Sequence, residues 1–393
     1  MNKNNDNKKV IALSRRDLLR TIHQHGSISR VQLAQKLQLG KSTVTENITH
    51  LMQIGVVQEI GAGAAGNAGG RRPVLLKVNG AYKYIVAAEL GLHTPIVALA
   101  DLNGKIVARH SVTLPANAPY AVRFRVTKEV IRQLLRDNGM PAGKLATIAL
   151  SSPGAYSAAE KAFLLNPEFA DWNVDKLTAD LEEAFSTNVF RINDVNAAAV
   201  GEFYQGAGKG CSNLLFFSCG MGVGMGLVLN GDLYTGANGS SGEIARNPAG
   251  AFSKPLRTLV EIDSLLEKMR AEAPQSLRQA FGKSMEEFAF GDAIRFWQQK
   301  DAFVCECIQN VAVVLGESLA SAVSLLNCEL VVFGGDYLVF EEQIVPELNR
   351  AIKAQAFDPV AVLPSKLRQE AGLQGLLSMA AEKVLDDISA QRI

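Results

Sequence analysis

The sequence predicts an α/β protein in two parts, a winged helix-turn-helix at the N-terminus and a larger, internally duplicated α/β region after it. Three observations support this prediction: paired helix-start signatures early in the chain, a change to apolar strands and Asn-Gly turns after residue 80, and a second copy of those strands later on. The 393 residues exceed one ordinary core, so several domains are needed. We expect them at residues 1–80, 81–195 and 196–393.

Two capping signatures predict the first two helices. Ser14-Arg15-Arg16-Asp17 has the S-x-x-D form of a helix start, and this helix ends at Gly26. Ser29-Arg30-Val31-Gln32 has the S-x-x-Q form and opens the second helix. The side chains expected to face the core from this second helix are Val31, Leu33, Ala34 and Leu37.

A third helix is predicted from Ser42 to about Ile54, after a tight connection at Gln38-Leu39-Gly40 where Gly40 supplies a positive φ. Its buried stripe is Val44, Ile48, Leu51 and Met52. The polar face expected to contact DNA comprises Ser42, Thr43, Thr45, Glu46, Asn47, Thr49 and His50. Two helices joined by a short turn, with a polar second helix, are typical of a helix-turn-helix. A three-helix protein-interaction module with a basic face is the alternative.

A hairpin wing is predicted next. Val56–Ile60 and Val74–Val78 have strand character, with a Gly/Ala-rich loop between them. The loop ends in Gly70-Arg71-Arg72-Pro73, and the guanidiniums of Arg71 and Arg72 suit phosphates or the narrow minor groove.

The charge is divided unevenly along the chain. Residues 1–80 hold six Lys and six Arg against two Asp and two Glu, a formal charge of +8. Because the whole chain carries only +1, the rest must carry −7. This division predicts a polyanion-binding module attached to an acidic region.

The second part repeats one strand pattern. The strands predicted in its two copies are Ile85–Leu90, Ile96–Asp101 and Lys105–His110, then Leu214–Cys219, Met225–Leu229 and Asp232–Tyr234. Asn103-Gly104 and Asn230-Gly231 are the matching turns. The copies indicate duplication, and two related halves leave a cleft that is the default place for a small ligand.

Other sequence features bear on location. The first nine residues are polar and rich in Asn and Lys, unlike a secretory signal. No uninterrupted apolar run reaches the length of a membrane span. The five cysteines show no CxxC spacing and are interpreted as small buried side chains. We therefore expect a cytoplasmic protein that contacts no membrane.

Several short motifs, taken in order, resemble the ROK family of repressors and sugar kinases. After the helix-turn-helix they are Glu89-Leu90-Gly91, Ser152-Pro153-Gly154, Asn193-Asp194-Val195-Asn196, Gly220-Met221-Gly222-Val223-Gly224 and Gly239-Ser240-Ser241-Gly242-Glu243. The resemblance covers nearly the whole chain. It implies an actin-like, ribonuclease-H-type fold, related to the sugar kinases, with sugar bound between its halves.

The resemblance also implies the sugar ligands. They are Asn166, Asn193, Asp194, Glu243, Arg246 and Glu261. Asp194 follows a strand end, where its carboxylate can hold sugar hydroxyls, act as catalytic base in a kinase, or cap the next helix. Asn166-Pro167 and Trp172 match a loop that closes over the sugar, although a lone Trp is equally often core.

Departures from the family pattern argue against metal and nucleotide. Arg246 replaces the family's zinc-binding His, and Phe252, Lys254 and Leu259 stand at its three Cys positions, so no zinc ligand remains. Met221 replaces a phosphate-loop Thr, and Glu89-Leu90-Gly91-Leu92-His93 replaces D-x-G-x-T. We therefore expect no zinc, no ATP and no catalytic residue, Asp194 excepted if the protein were a kinase.

Together these features predict a sugar-responsive regulator of carbohydrate genes. Its expected partners are a double-stranded operator, a sugar or sugar phosphate, and further copies of itself in a homodimer or homotetramer. A sugar kinase that keeps a DNA-binding head is one alternative. A regulator whose cleft is a vestige or docks a protein is the other.

Overall fold

The computed structural model describes residues 15–62, 72–90, 95–115, 118–141, 143–157, 162–164, 173–249 and 253–390. The chain divides into two compact units. Unit 1 contains Met1–Ser152, Pro167–Ile192 and Leu376–Ile393, and unit 2 contains Pro153–Asn166 and Asn193–Gly375. The three domain ranges predicted from the sequence stay a prediction.

The head, residues 15–78 of unit 1, contains three helices and a three-stranded sheet. In chain order its elements are α1 (15–25), β1 (Ile28–Ser29), α2 (Arg30–Lys36), α3 (Lys41–Gln53), β2 (Val57–Ala62) and β3 (Val74–Val78). The sheet order is β1-β3-β2, and β2 and β3 are antiparallel. The Ser29 side chain accepts the amide of Gln32, whose side chain accepts the amide of Ser29, which confirms the second capping box. Ser14 lies outside the described residues.

Three details of the predicted head are wrong. Val31 is 51% exposed, because on a helix it lies about 200° around from buried Leu33 and cannot share its face. The positive φ of the connection is at Gln38 (53°), whereas Gly40 has φ −61° and serves as the N-cap of α3. Asn47, expected on the DNA face, is 4% exposed.

The first half of the duplicated region contains a five-stranded sheet. Its elements are β4 (Tyr84–Glu89), β5 (Ile96–Asp101), β6 (Ile106–Ser111), α4 (Tyr120–Asp137), β7 (Leu145–Ser152), β8 (Ala155–Ser157), β9 (Ala162–Leu164), α5 (Val174–Phe185) and β10 (Asn188–Asn193). The sheet order is β10-β7-β4-β5-β6, while β8 and β9 pair separately. In the predicted Asn-Gly turn, Gly104 has φ +75° and the Asp101 carboxylate accepts the amides of Asn103 and Lys105.

The second half repeats that arrangement and adds helices. Its elements are α6 (Asp194–Gln205), β11 (Leu214–Cys219), β12 (Val223–Leu229), β13 (Asp232–Tyr234), β14 (Pro248–Ala249), β15 (Lys254–Pro255), α7 (Arg257–Val260), α8 (Ile262–Glu272), α9 (Gln275–Phe281), α10 (Phe290–Gln298), α11 (Ala302–Leu326), β16 (Leu330–Gly334), α12 (Glu341–Gln355), β17 (Val362–Pro364) and α13 (Ala371–Ser389). Its sheet order is β13-β12-β11-β16-β17.

The two sheets share one topology. In each, three consecutive strands form an antiparallel meander, and the first of the three pairs in parallel with a later strand, β7 in one case and β16 in the other. This correspondence confirms the duplication read from the sequence.

One described helix, α11, is long and apolar enough to cross a membrane by length and composition alone. It packs along α12, and Gly316 of α11 lies close to Ala351 of α12. Leu315, Leu319 and Val323 of α11 are at most 1% exposed, which is typical of a core helix.

Candidate functional site

The outer face of α3 carries most of the residues predicted to contact DNA. Ser42, Thr45, Glu46 and Thr49 are exposed, and Thr43 is half-buried. Thr45 and Thr49 each donate their hydroxyl to the carbonyl four residues earlier, at 2.8 Å. These two threonines therefore present methyl groups and oxygen lone pairs outward, while Ser42 and Glu46 supply the exposed hydroxyl and carboxylate.

Asn47 orients α3 instead of reading DNA. Its side-chain oxygen accepts Nε of Arg15 at 3.0 Å, and its amide donates to the Thr43 carbonyl at 2.9 Å. The Arg15 bond joins α3 to α1, and the Thr43 bond fixes the Asn47 side chain within α3. Sequence reasoning missed this role because Asn47 and Arg15 are 32 residues apart.

The wing is joined to the helices by an ion pair. Arg30 of α2 donates to Glu59 of β2 at 2.9 Å, which leaves the wing fixed at one end of the helix-turn-helix. Arg72 is exposed where β3 begins, as expected for a phosphate contact. Arg71 lies outside the described residues.

The start of α6 is built around Asn193. Its side-chain oxygen caps the helix by accepting the Asn196 amide at 3.1 Å, and its side-chain nitrogen donates to the Gly154 carbonyl at 3.0 Å. The helix thus starts at Asp194, and the capping role considered for Asp194 belongs to Asn193. A sugar contact by Asn193 stays a prediction.

Asp194 is the first residue of α6 and is half-buried. Its carboxylate accepts the Val195 amide at 2.8 Å. Removal of solvent from around the carboxyl raises its pKa, and the Asp336 carboxylate adds to the rise. A carboxylate held in this way is a strong acceptor for hydroxyl groups that enter the site.

Glu243 is brought to Asp194 by a tight glycine turn. Gly242 has φ +84°, and a Cβ there would lie 1.9 Å from the Met225 carbonyl oxygen, so only glycine fits against β12. The residue Glu243 is exposed, yet the protein around its carboxyl and the neighbouring Asp194 carboxylate raise its pKa. Unit 2 therefore places two predicted sugar ligands within electrostatic reach of each other.

Glu261 stands between α7 and α8 beside the second glycine loop. The next amide, that of Ile262, donates to the Gly220 carbonyl at 3.0 Å, and Glu261 forms an ion pair with Arg257 at 3.2 Å. Its side chain is 13% exposed. Arg246 is exposed on the segment that follows Glu243.

Asp336 is a site residue that the sequence did not indicate. Its carboxylate accepts the Met221 amide at 3.0 Å, and a Cβ at Gly220 would lie 2.1 Å from the same oxygen. An amide in a glycine loop of this kind is a typical donor to phosphate. In this chain the Asp336 carboxylate already accepts that amide, and its negative charge would repel a phosphate placed nearby.

Residues 246–249 and 253–261 are held by backbone hydrogen bonds and apolar packing. β14 and β15 pair, Leu256 donates to the Asn247 carbonyl and Arg257 to the Ala245 carbonyl, and Leu256 and Val260 are at most 1% exposed. Lys254 is exposed and Leu259 packs against the core. Within the described ranges no group of three or more His, Cys, Asp or Glu could hold a metal.

Several predicted positions lie outside the described residues. They are Arg71, Gly91, Leu92, His93, Asn166, Pro167, Trp172 and Phe252.

Comparison with known proteins supports the two-part organisation. A model of the ROK family matches residues 85–383, and a model of the MarR family matches residues 12–59. The chain is 26% identical over 392 residues to the xylose repressor of Bacillus subtilis (strain 168), with 98% of this chain and 99% of that protein covered. It is 24% identical over 390 residues to the DNA-binding transcriptional dual regulator NagC of Escherichia coli (strain K12), with 95% and 93% covered.

A solved structure has the same fold along nearly the whole chain. It is a ROK family transcriptional regulator described as a homologue of the E. coli MLC protein, with a TM-score of 0.80, 20% identity, and 97% of this chain and 98% of that chain covered. The predicted fold class is thereby confirmed, a winged helix-turn-helix followed by a duplicated actin-like region.

Proposed function

The chain belongs to the ROK family, and on that premise we propose that it is a sugar-responsive, DNA-binding transcriptional repressor. The observation that carries this proposal is the head, where α3 exposes Ser42, Thr45, Glu46 and Thr49 beside a wing that begins at Arg72. Relatives that match along the chain include repressors named for xylose and for N-acetylglucosamine. The proposed targets are genes of carbohydrate catabolism.

We propose that the operator is read by two heads of a homodimer or of a homotetramer. Each α3 would enter a major groove, and the two grooves would lie one helical turn, about 34 Å, apart on a roughly palindromic site. Arg71 and Arg72 would contact phosphates or the minor groove next to it. Binding to chromosomal DNA places the protein in the cytoplasm.

The proposed sugar ligands centre on Asp194 and Glu243. The two carboxylates, whose pKa values are raised, can accept hydrogen bonds from sugar hydroxyl groups. The Arg246 guanidinium can donate hydrogen bonds to a ring oxygen or a hydroxyl. Glu261, Asn193 and Asn166 complete the proposed set. Sugar changes operator affinity only to the extent that it binds the two states of the protein differently.

We propose no enzymatic role, no zinc and no nucleotide cofactor. Phosphoryl transfer depends on donors and a cation arranged around the phosphates. In unit 2 the Met221 amide is taken by Asp336, and the methionine side chain offers no hydroxyl. Asp194 would then hold sugar without acting as a base.

Operator binding tests the proposal. The purified full chain is titrated against a fluorescent duplex from its own promoter region and against an unrelated duplex, at about 0.15 M salt. D-xylose, N-acetyl-D-glucosamine and its 6-phosphate are then added. We expect specific binding that at least one sugar changes about fivefold or more.

Two results would contradict the proposal. One is equal affinity for both duplexes, which would rule out a sequence-specific repressor. The other is ADP release with any of these sugars at about 1 s⁻¹ or faster in a coupled assay, which favours the kinase.

A further inference from the structure

Helix α13 touches the sugar-site helix through backbone atoms. A Cβ at Gly375 would lie 1.7 Å from the Ala197 carbonyl oxygen, and a Cβ at Gly201 would lie 2.0 Å from the Ala371 carbonyl oxygen. Both contacts are within unit 2, and the partner helix is α6, which begins at Asp194. At these two glycines the helices are in backbone contact, so a shift of α6 is expected to displace α13.

The other end of α13 holds the first helix of the head, within unit 1. The Asp386 carboxylate accepts Nε of Arg16 at 3.0 Å, Nε of Arg20 at 2.9 Å and Nη2 of Arg20 at 2.8 Å. Its side chain is 28% exposed, as is that of Arg20. The Arg20 contact is bidentate, the geometry that restricts both partners most.

His23 extends this contact along α1. It lies near the Leu102 carbonyl of the β5–β6 turn and near the Glu382 carboxylate of α13, and burial lowers its pKa. One face of α1 therefore contacts α13 and the β5–β6 turn of the first sheet.

The position of Asp386 within α13 is unfavourable for the helix itself. It lies in the last turn, where the helix macrodipole is negative and a carboxylate is repelled, and no basic residue of α13 occupies that turn. The unfavourable charge of Asp386 is offset by its ion pairs with Arg16 and Arg20 of the head. The C-terminal end of α13 thus favours binding to α1 over the stability of the helix itself.

We propose that α13 couples the sugar site to the DNA-reading head, with Asp386 as the positioning residue that transmits the state of α6 to α1. The inference rests on the proposed function and concerns its regulation. The helix is continuous from Ala371, beside α6, to Ser389, beyond Asp386. A shift of α6 around bound sugar would move Arg16 and Arg20, and through Arg15 and Asn47 it would move α3.

The first test measures the sugar response of operator binding in full-length variants. The wild type reports on the proposed function by itself, with D-xylose and N-acetyl-D-glucosamine as probes. Asp386→Asn keeps the shape and loses the charge, and we expect its response to fall below about twofold from about fivefold or more. Asp386→Glu keeps the charge and should retain a response above about threefold.

A matched variant and a binding measurement control this test. Glu129→Gln breaks a comparable ion pair with Arg132 on α4, and its response should equal that of the wild type. Calorimetry of DNA-free Asp386→Asn should show sugar affinity within about threefold of wild type, as expected for a residue remote from the ligand. An undiminished response in folded Asp386→Asn would overturn the inference.

A second test needs neither sugar nor operator. Hydrogen exchange of residues 15–25 is compared in wild type, Asp194→Asn, Asp386→Asn and the double variant. We expect Asp194→Asn to change the exchange rate about twofold or more in the wild-type background and not in the Asp386→Asn background. Additive effects, or equal exchange in all four proteins, would overturn the coupling while leaving the proposed function intact.

Discussion

At the residue scale, the site of unit 2 is defined by carboxyl groups held at a cost to the fold. Asp194, Glu243 and Asp336 influence one another electrostatically, and the pKa values of Asp194 and Glu243 are raised. An acid with a raised folded-state pKa stabilises the fold below that pKa and loses this contribution as pH rises through it. In their charged form these two carboxyl groups therefore oppose folding, and we assign them to binding rather than to stability.

Asp194→Asn tests this balance. We expect sugar binding to fall by about tenfold or more, because a charged acceptor is lost. Above the folded-state pKa of Asp194 the variant should melt on the order of 2 °C higher than wild type, since no desolvated charge has to be kept, and the difference should shrink as the pH falls through that pKa. Calorimetric scans across pH provide the measurement. A variant that binds sugar normally and melts lower would reduce Asp194 to a structural role.

Asp336→Asn tests the like-charge contribution to the pKa of Asp194. Removal of the neighbouring charge should lower that pKa, so the loss of stability as pH rises through it should begin at a lower pH. NMR titration of the carboxyl groups measures the shift directly. Asp358→Asn, at an exposed position after α12, is the control and should leave Asp194 unchanged. An unchanged Asp194 pKa in Asp336→Asn would show that the two carboxyl groups do not interact.

Arg72→Ala tests the wing. A single phosphate contact contributes about 0.9 to the slope of log affinity against log salt, so the variant should bind every duplex more weakly with a slope smaller by about 1. Lys353→Ala removes an exposed cation far along the chain, on α12, and should leave the slope unchanged. Loss of affinity for the operator duplex alone would assign Arg72 to base readout instead.

At the element scale, the sequence predicted the helices of the head and the strands of both meanders to within two residues. Long apolar runs ending at Asn-Gly turns specify β4–β6 and β11–β13, and capping signatures with helical periodicity specify α1, α2 and α3. β17 has only three residues and ends at Pro364, and α12 contains Pro346, so neither gives the usual pattern. The β14–β15 pair has two residues a strand, too few for alternation to show.

The site was predictable where a residue acts within its own motif. The position of Asp194 at a strand end follows from local sequence, whereas Glu243 was proposed from the family resemblance. Asp336 is 115 residues from its partner Met221, and Asp386 is 366 residues from Arg20. Such pairings depend on the tertiary fold, which no local pattern encodes.

The α6–α13 crossing gives a prediction about packing. Gly375→Ala should destabilise the protein by more than about 2 kcal/mol, because the added methyl meets backbone that cannot move aside. Gly291→Ala on α10 is the matched control, since its Cβ meets nothing within 4 Å, and it should stabilise by about 0.5 kcal/mol. Urea denaturation of both variants measures the difference, and equal stabilities would contradict the close crossing.

At the scale of the whole molecule, the chain joins a basic DNA-binding head to an acidic region in which a carboxylate accepts an amide of the glycine loop. The charge division of +8 and −7, the exposed face of α3 and the Asp336 cap on the glycine loop agree on this point. A repressor needs a ligand to change the population of two states, and it needs no turnover.

The most direct measurement is operator affinity of the full chain with and without sugar, in wild type and in Asp194→Asn, at about 0.15 M salt. The account predicts that D-xylose or N-acetyl-D-glucosamine changes the wild-type Kd about fivefold or more and leaves the Kd of Asp194→Asn within about twofold. Specific operator binding that responds equally in both proteins, or that is absent from both, would contradict it.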